Sequence, residues 1–255
     1  MLILIIIDKL NNYINNHNSE DINYNIASFI VNNIEIIPDY NITEVSKKCF
    51  VSQATVSRFI KKLGYIDYNT FKEECSHYIE NIKASKDDNY TDINLLGEDL
   101  KLLYKKINLN NIKKVASLIS SYNKIYISGL NYCYLMAQYF QMECYPFGKF
   151  IKVIEDNEEI KNIEEDSLLL ILTTSGTFFN VNRVIKEHLR ECKSKKVLIS
   201  IQDLDLKVKK LFDSSLTLDA NLGVKNSRYV MMALLDKIIE ELNETRFCYT
   251  MDNEE

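Results

Sequence analysis

Residues 167–174 read SLLLILTT, with five consecutive aliphatic residues from Leu168 to Leu172. Side chains of a strand alternate between its two faces, so a run apolar at every position must be covered on both sides. The run is too short for a buried helix and fits a central strand of a parallel sheet. Four further short apolar runs occur downstream of residue 120: KIYIS, KFIKVI, KKVLISI and SSLTLD. Between or after them lie helix-like segments, LMAQYFQMEC, FNVNRVIKEHLREC and SRYVMMALLDKIIEELNE. Strand alternating with helix predicts a doubly wound α/β unit of five parallel strands from about Asp92 to Glu244. A helical pair, Leu95 to Ile107 and Ile112 to Ser120, precedes it.

The first third has a different rhythm. Ile26, Phe29, Ile30 and Ile34 recur at helical spacing, as do Val45 and Cys49, then Val56, Phe59, Ile60 and Leu63. The opening MLILIIIDKL is shorter than a secretory hydrophobic core, lacks a basic leader and a cleavage site, and reads as a helix start continuing through Leu10, Tyr13 and Ile14. The polar stretch KASKDDNYTD reads as a linker. The expected organisation is an all-α unit at 1–82, a linker at 83–92, the α/β unit at 93–245 and a tail at 246–255.

Within the all-α unit, ITEVSKKCFVSQATVSRFIKKLG places a short helix before a tight connection and a second helix. Thr43 is an N-cap candidate for the first helix, Glu44 to Cys49, and Glu44 suits its first turn. Phe50 and Val51 form the connection, Ser52 caps the second helix and Gly64 stops it. This is a helix-turn-helix layout. Val45, Val51, Val56, Phe59, Ile60 and Leu63 face inward, leaving Gln53, Thr55, Ser57 and Arg58 on or beside the outer face. Those side chains can hydrogen-bond base edges or phosphates, and Lys47, Lys48, Lys61 and Lys62 would flank a groove as phosphate contacts. The whole chain carries a net charge of −5, yet from Thr43 to Leu63 five basic residues face Glu44 alone. Attraction to phosphate depends on the charge presented locally.

The order ITEVSKKCFVSQATVSRFIKKLGYIDYNTFK resembles the N-terminal domain of the RpiR family of bacterial transcription regulators. The resemblance rests on Ser52, Ala54-Thr55-Val56, Arg58-Phe59 and Lys61-Lys62-Leu63-Gly64-Tyr65, followed by Tyr68, Phe71 and Lys72. Ser46 stands where that family usually has alanine. The resemblance implies double-stranded DNA as a partner and Thr43, Lys47, Ser52, Gln53, Thr55, Ser57, Arg58, Lys61 and Lys62 as its contacts. It also implies a C-terminal sugar isomerase (SIS) domain that binds phosphosugars, and a homodimer or higher homo-oligomer reading an inverted repeat.

Ligands of open α/β sheets sit outside the carboxyl ends of the strands. Two loops lie there. The first is Gly129 to Cys133, which resembles the family's G-x-G-x-S with Asn131 for the second glycine and Cys133 for the serine. The second is Thr173 to Phe178, which resembles S-x-S-G-x-T, with Ser175 and Gly176 matching, Thr173 keeping a hydroxyl and Phe178 replacing the threonine. Gly129, Asn131, Cys133, Thr173, Ser175, Gly176 and Thr177 are therefore the ligand candidates, with hydroxyls and helix N-terminal amides as phosphate donors. Thr177 stands in for the hydroxyl that Phe178 lacks.

No catalytic residue, cofactor or metal ligand is assigned. Glu187 and His188 lie in HLREC, which reads as exposed surface, and His17, His77 and His188 make no metal-binding pattern. The six cysteines form no CxxC pair and read as reduced thiols. With no stretch near the roughly 20 apolar residues a membrane span needs, the chain reads as cytoplasmic. Three readings stay open for the second unit: a phosphosugar sensor, a dimerisation module with a degenerate pocket, or an isomerase.

Overall fold

The computed structural model describes residues 5–84, 93–155, 157–181, 184–218 and 226–251. The chain divides into two compact units, Met1–Asn89 and Tyr90–Glu255. The first carries α1 (Ile5–Asn16), α2 (Ile22–Asn32), a 3₁₀ turn (Ile37–Asp39), α3 (Ile42–Lys48), α4 (Gln53–Lys62) and α5 (Tyr68–Ala84). Leu10, Ile26, Ile30, Val45, Val56, Phe59, Ile60 and Phe71 form its core. All of its described residues are helical or connecting, in keeping with the 3.6-residue period. Of the segment read as a linker, residues 85–92 lie outside the described residues.

The second unit opens with α6 (Ile93–Lys106) and α7 (Leu109–Ser121). There follow β1 (Lys124–Gly129), α8 (Tyr132–Cys144), β2 (Phe150–Ile154), β3 (Leu168–Thr173), α9 (Thr177–Val181) and α10 (Ile185–Glu191). The unit ends with β4 (Lys195–Ser200), α11 (Leu206–Lys209), β5 (Ser214–Thr217) and α12 (Ser227–Met251). The five strands form one parallel sheet in the order β2-β1-β3-β4-β5. All six positions of β3 are buried. Ile125, Ile127, Leu168, Leu170, Leu172, Val197 and Ile199 pack with residues of α7, α8 and α12 on one face. Leu169, Ile171 and Leu198 pack with Phe178, Phe179 and Leu189 on the other. The doubly wound α/β reading of the sequence is thus the architecture observed.

Connections leave β1 toward β2 and β3 toward β4, so the chain reverses direction across the sheet between β1 and β3. That reversal opens a crevice at their carboxyl ends, where Gly129 pairs in register with Leu172.

Three details differ from the sequence reading. The segment FNVNRVIKEHLREC is divided between α9 and α10. HLREC is not simply exposed, because His188, Leu189 and Cys192 are buried. His188 Nδ1 lies 3.1 Å from the Asn157 carbonyl oxygen and Nε2 lies 3.6 Å from Glu158, both in the 3₁₀ turn Asn157–Asn162. The last helix runs to Met251, so much of the segment read as a tail is helical.

The corner between α3 and α4 holds a strained residue. The Val51 amide donates to the Ser46 carbonyl at 2.9 Å and the Phe50 amide to Lys47 at 3.2 Å, a Schellman-type closure of α3. This places Phe50 at φ +56°, the left-handed conformation that costs a non-glycine residue about 1–2 kcal/mol. Its side chain is 95% exposed and recovers nothing by packing. Phe50→Gly should therefore stabilise the first unit by about 1 kcal/mol, read as a rise in its melting temperature; an unchanged or lower value would show the conformation to be unstrained.

Candidate functional site

The exposed polar face of the first unit is built by two caps. Asn41, not Thr43, caps α3, which therefore starts before Glu44. The Glu44 amide donates to Asn41 Oδ1 at 3.0 Å, and the Asn41 amide donates to Glu44 Oε2 at 2.7 Å. This reciprocal capping box satisfies two amides that a helix start leaves unpaired. Ser52 caps α4 as expected, with Oγ accepting from the Thr55 amide at 3.1 Å. At the far end the Tyr65 amide donates to the Ile60 carbonyl, with Gly64 completing the closure.

Thr43 bridges the two helices instead of capping one, since Gln53 Nε2 donates to its Oγ1 at 2.9 Å. Ser46 is buried and its hydroxyl donates to the Thr43 carbonyl at 2.9 Å, so the serine fits where the resembling family has alanine. Ser52, Gln53, Arg58 and Lys61 are exposed, with Lys47 and Lys48 on α3; Thr55 and Ser57 are half-buried. Thr55 Oγ1 lies 2.8 Å from Ser52 Oγ, and Arg58 Nε donates to the Ala54 carbonyl at 3.3 Å. Lys62 is exposed too, but its ammonium is turned toward Tyr13, whose hydroxyl accepts from it at 3.1 Å.

In the second unit the two loops meet at the β1/β3 crevice. Gly129 is required by a close approach: a Cβ there would lie 2.7 Å from Cys133 Cβ, so α8 packs directly on the strand end. Asn131 sits at φ +58° and ψ −121°, outside the left-handed helical well that asparagine tolerates and in a region that favours glycine, and its buried Oδ1 has no hydrogen-bond partner. Burial pushes the Cys133 thiol up to about 12, which keeps it neutral and unreactive at ordinary pH. The Thr173 hydroxyl is buried and accepts from the Gly176 amide at 3.0 Å, so it serves the turn of its own loop. Gly176, at φ +78°, faces the Leu204 side chain, which would lie 2.8 Å from an added Cβ. Phe178 is buried against Phe179, with centroids 5.3 Å apart. Ser175 is half-buried; Thr177 begins α9, but its side chain lies outside the described residues.

Sequence reasoning missed Arg228, whose guanidinium lies 5.0 Å from the Tyr132 ring, beside Asn131. It also missed Asn226, whose Nδ2 donates to Asp99 at 2.9 Å across 127 residues. Neither pairing has a local sequence signal. Among the described residues no group of three or more His, Cys, Asp or Glu could hold a metal ion, and no helix is long and apolar enough to cross a membrane.

These features define a two-unit protein with a helix-turn-helix in the first unit and a five-stranded parallel α/β second unit. Residues 8–82 match the helix-turn-helix domain of the rpiR family. The chain is 22% identical over 244 residues to an uncharacterized HTH-type transcriptional regulator of Clostridium perfringens, covering 87% of each. It is 24% identical over 180 residues to the HTH-type transcriptional regulator GlvR of Bacillus subtilis, covering 66% of this chain and 67% of GlvR. Its fold is similar to that of Vibrio vulnificus NanR complexed with ManNAc-6P, with a TM-score of 0.53 and 15% identity over 96% of this chain and 94% of NanR. Residues 8–82 thus form a helix-turn-helix domain of the rpiR family.

Removing the α3 cap by Asn41→Ala should destabilise the first unit by about 1 kcal/mol, seen as a lower urea midpoint at constant m-value. An unchanged midpoint would mean that the capping box adds nothing to stability.

Proposed function

We propose that α4 enters the major groove of an operator and that the second unit couples a phosphorylated sugar to that binding. The observation that carries this reading is the exposure of Gln53 and Arg58, with Thr55 and Ser57 half-buried, at the N-terminal and middle turns of α4, while Val56, Phe59 and Ile60 are buried. Recognition helices contact base edges from there. Lys47 and Lys61 would neutralise flanking phosphates, and Ser52, with the α4 N-terminal amides, would hold another. A homodimer would present two such helices to an inverted repeat. Such a regulator works in the cytoplasm, where the DNA is.

Support for a sugar-like effector comes from the β1/β3 crevice. The orphaned Asn131 Oδ1 is an acceptor that a ligand hydroxyl would satisfy, since a buried unpaired acceptor costs about 1–3 kcal/mol. Arg228 beside Tyr132 supplies a cation for a phosphate. ManNAc-6P, present with NanR, is of this chemical class. A dimerisation-only second unit is the alternative, favoured by Leu204 over Gly176 and by the inward-turned Thr173 hydroxyl. Isomerase chemistry is not supported by the loops, where the neutral Cys133 thiol and the engaged Thr173 offer no acid/base pair. The effector can act only by binding the DNA-competent and DNA-incompetent states unequally.

Arg58→Ala should lower affinity for an operator selected from a random-sequence pool much more than affinity for mixed-sequence duplex, whereas Lys61→Ala should weaken both. Equal losses for Arg58→Ala would remove its base-reading role. Hexose and N-acetylhexosamine phosphates at millimolar concentration should raise the melting temperature, with a smaller shift in Asn131→Ala. A flat response across the panel would favour the dimerisation module.

A further inference from the structure

A cleft of about 520 Å³ separates α4 from the α1–α2 corner, lined by Glu20, Asp21, Ile22, Asn23, Thr55, Arg58, Phe59 and Lys62. At its edge, Tyr13 of α1 is 8% exposed and its hydroxyl is fully used. It donates to Asp21 Oδ2 at 2.8 Å and accepts from Lys62 Nζ at 3.1 Å and from Asn23 Nδ2 at 3.3 Å. A phenol has one donor and two acceptor positions, so nothing remains unsatisfied. The ring is fixed as well. His17 stacks on it at 4.0 Å with planes 1° apart, Phe59 meets it edge-on at 5.1 Å, and the Lys62 ammonium lies 4.8 Å from its centroid.

The geometry points to Lys62 as a positioning residue, held by Tyr13 to set the C-terminal end of the recognition helix against α1 and α2, and not as a phosphate contact. Two physical reasons support this. A lysine that both donates to a part-buried hydroxyl and rests on an aromatic face loses those contacts if it swings out to a phosphate. Its charge is also already opposed: Tyr13 and the Asn23 amide hold the Asp21 carboxyl below its usual range, with His17 and Lys62 contributing, so Asp21 stays anionic beside it. A phosphate entering the cleft would meet Glu20 and Asp21 as well as Arg58. Lys61, one residue earlier, has no such tether among the contacts described and keeps its exposed ammonium for the backbone.

This inference rests on α4 being the DNA-recognition helix, and salt dependence separates the two claims. Each phosphate neutralised adds about 0.9 to the slope of log K against log salt. With mixed-sequence duplex and with the selected operator, Lys62→Met should leave that slope unchanged while lowering operator affinity several-fold. Tyr13→Phe should produce a similar loss, and the double variant should be no worse than the weaker single one. Lys62→Arg, which can still donate to the hydroxyl and cover the ring, should restore most of the affinity. A slope reduced by about 0.9 per protomer in Lys62→Met, or unchanged operator affinity, or additive losses, would overturn the assignment.

The tie can also be read without DNA. Melting temperatures of wild type, Lys62→Met, Tyr13→Phe and the double variant should show coupling between the two sites, and additive shifts would count against it. A wild-type chain that bound no duplex would sink the recognition-helix reading while leaving this second measurement decisive for the tie.

Discussion

The surface offered by α4 depends on a few backbone hydrogen bonds at the corner where α3 gives way to it. Asn41 and Glu44 close the start of α3, Val51 and Phe50 close its end, and Ser52 opens α4. The Asn41, Glu44, Phe50, Val51 and Thr55 amides are all paired at this corner, so a change in the crossing of the two helices would break those bonds. Val45, Val56, Phe59 and Ile60 then bury the inner side of that fixed pair, and Gln53 and Arg58 are left outside by geometry. The Gln53–Thr43 bridge and the Tyr13–Lys62 tie brace opposite ends of α4. Reading DNA needs such rigidity, because base contacts are directional while phosphate attraction is not.

The second unit follows from a different constraint, the double-sided burial of β3. A strand apolar at every position needs helices on both faces, and parallel connections bring the chain back to the same edge each time. The reversal between β1 and β3 then places the Gly129 and Thr173 loops side by side whatever their sequence. What those loops can bind is set by substitutions within them. The packing of Cys133 on Gly129 and of Leu204 on Gly176 uses both close approaches within the chain itself. Asn131 leaves a buried, unpartnered carbonyl oxygen there, and the Arg228 guanidinium lies 5.0 Å from the ring of the next residue, Tyr132.

Much of this architecture was legible in the residues. The five strands announced themselves as apolar runs, and Ser52 and Gly64 bracketed α4 to within a residue. Asn41 escapes a reading that starts the helix at Glu44, because Thr43 then stands directly before it and is itself a good capping residue. His188 lies among charged neighbours, and nothing local shows that the 3₁₀ turn from residue 157 covers it. Tyr13 and Lys62 are 49 positions apart, so a lysine that looked like a phosphate contact is tied to a partner no periodicity can find. In the Gly129 and Thr173 loops the residue types were readable, but whether the Thr173 hydroxyl turns outward or toward its own loop is decided by tertiary geometry.

Hydrogen exchange of the full-length chain, with and without the operator it selects, tests the central claim most directly. If α4 is the reading helix, slowed exchange should centre on the amides from Asn41 to Leu63, with the interior of the β-sheet unaffected. Protection confined to the second unit, or none anywhere at saturating operator, would contradict a DNA-reading role for this helix-turn-helix.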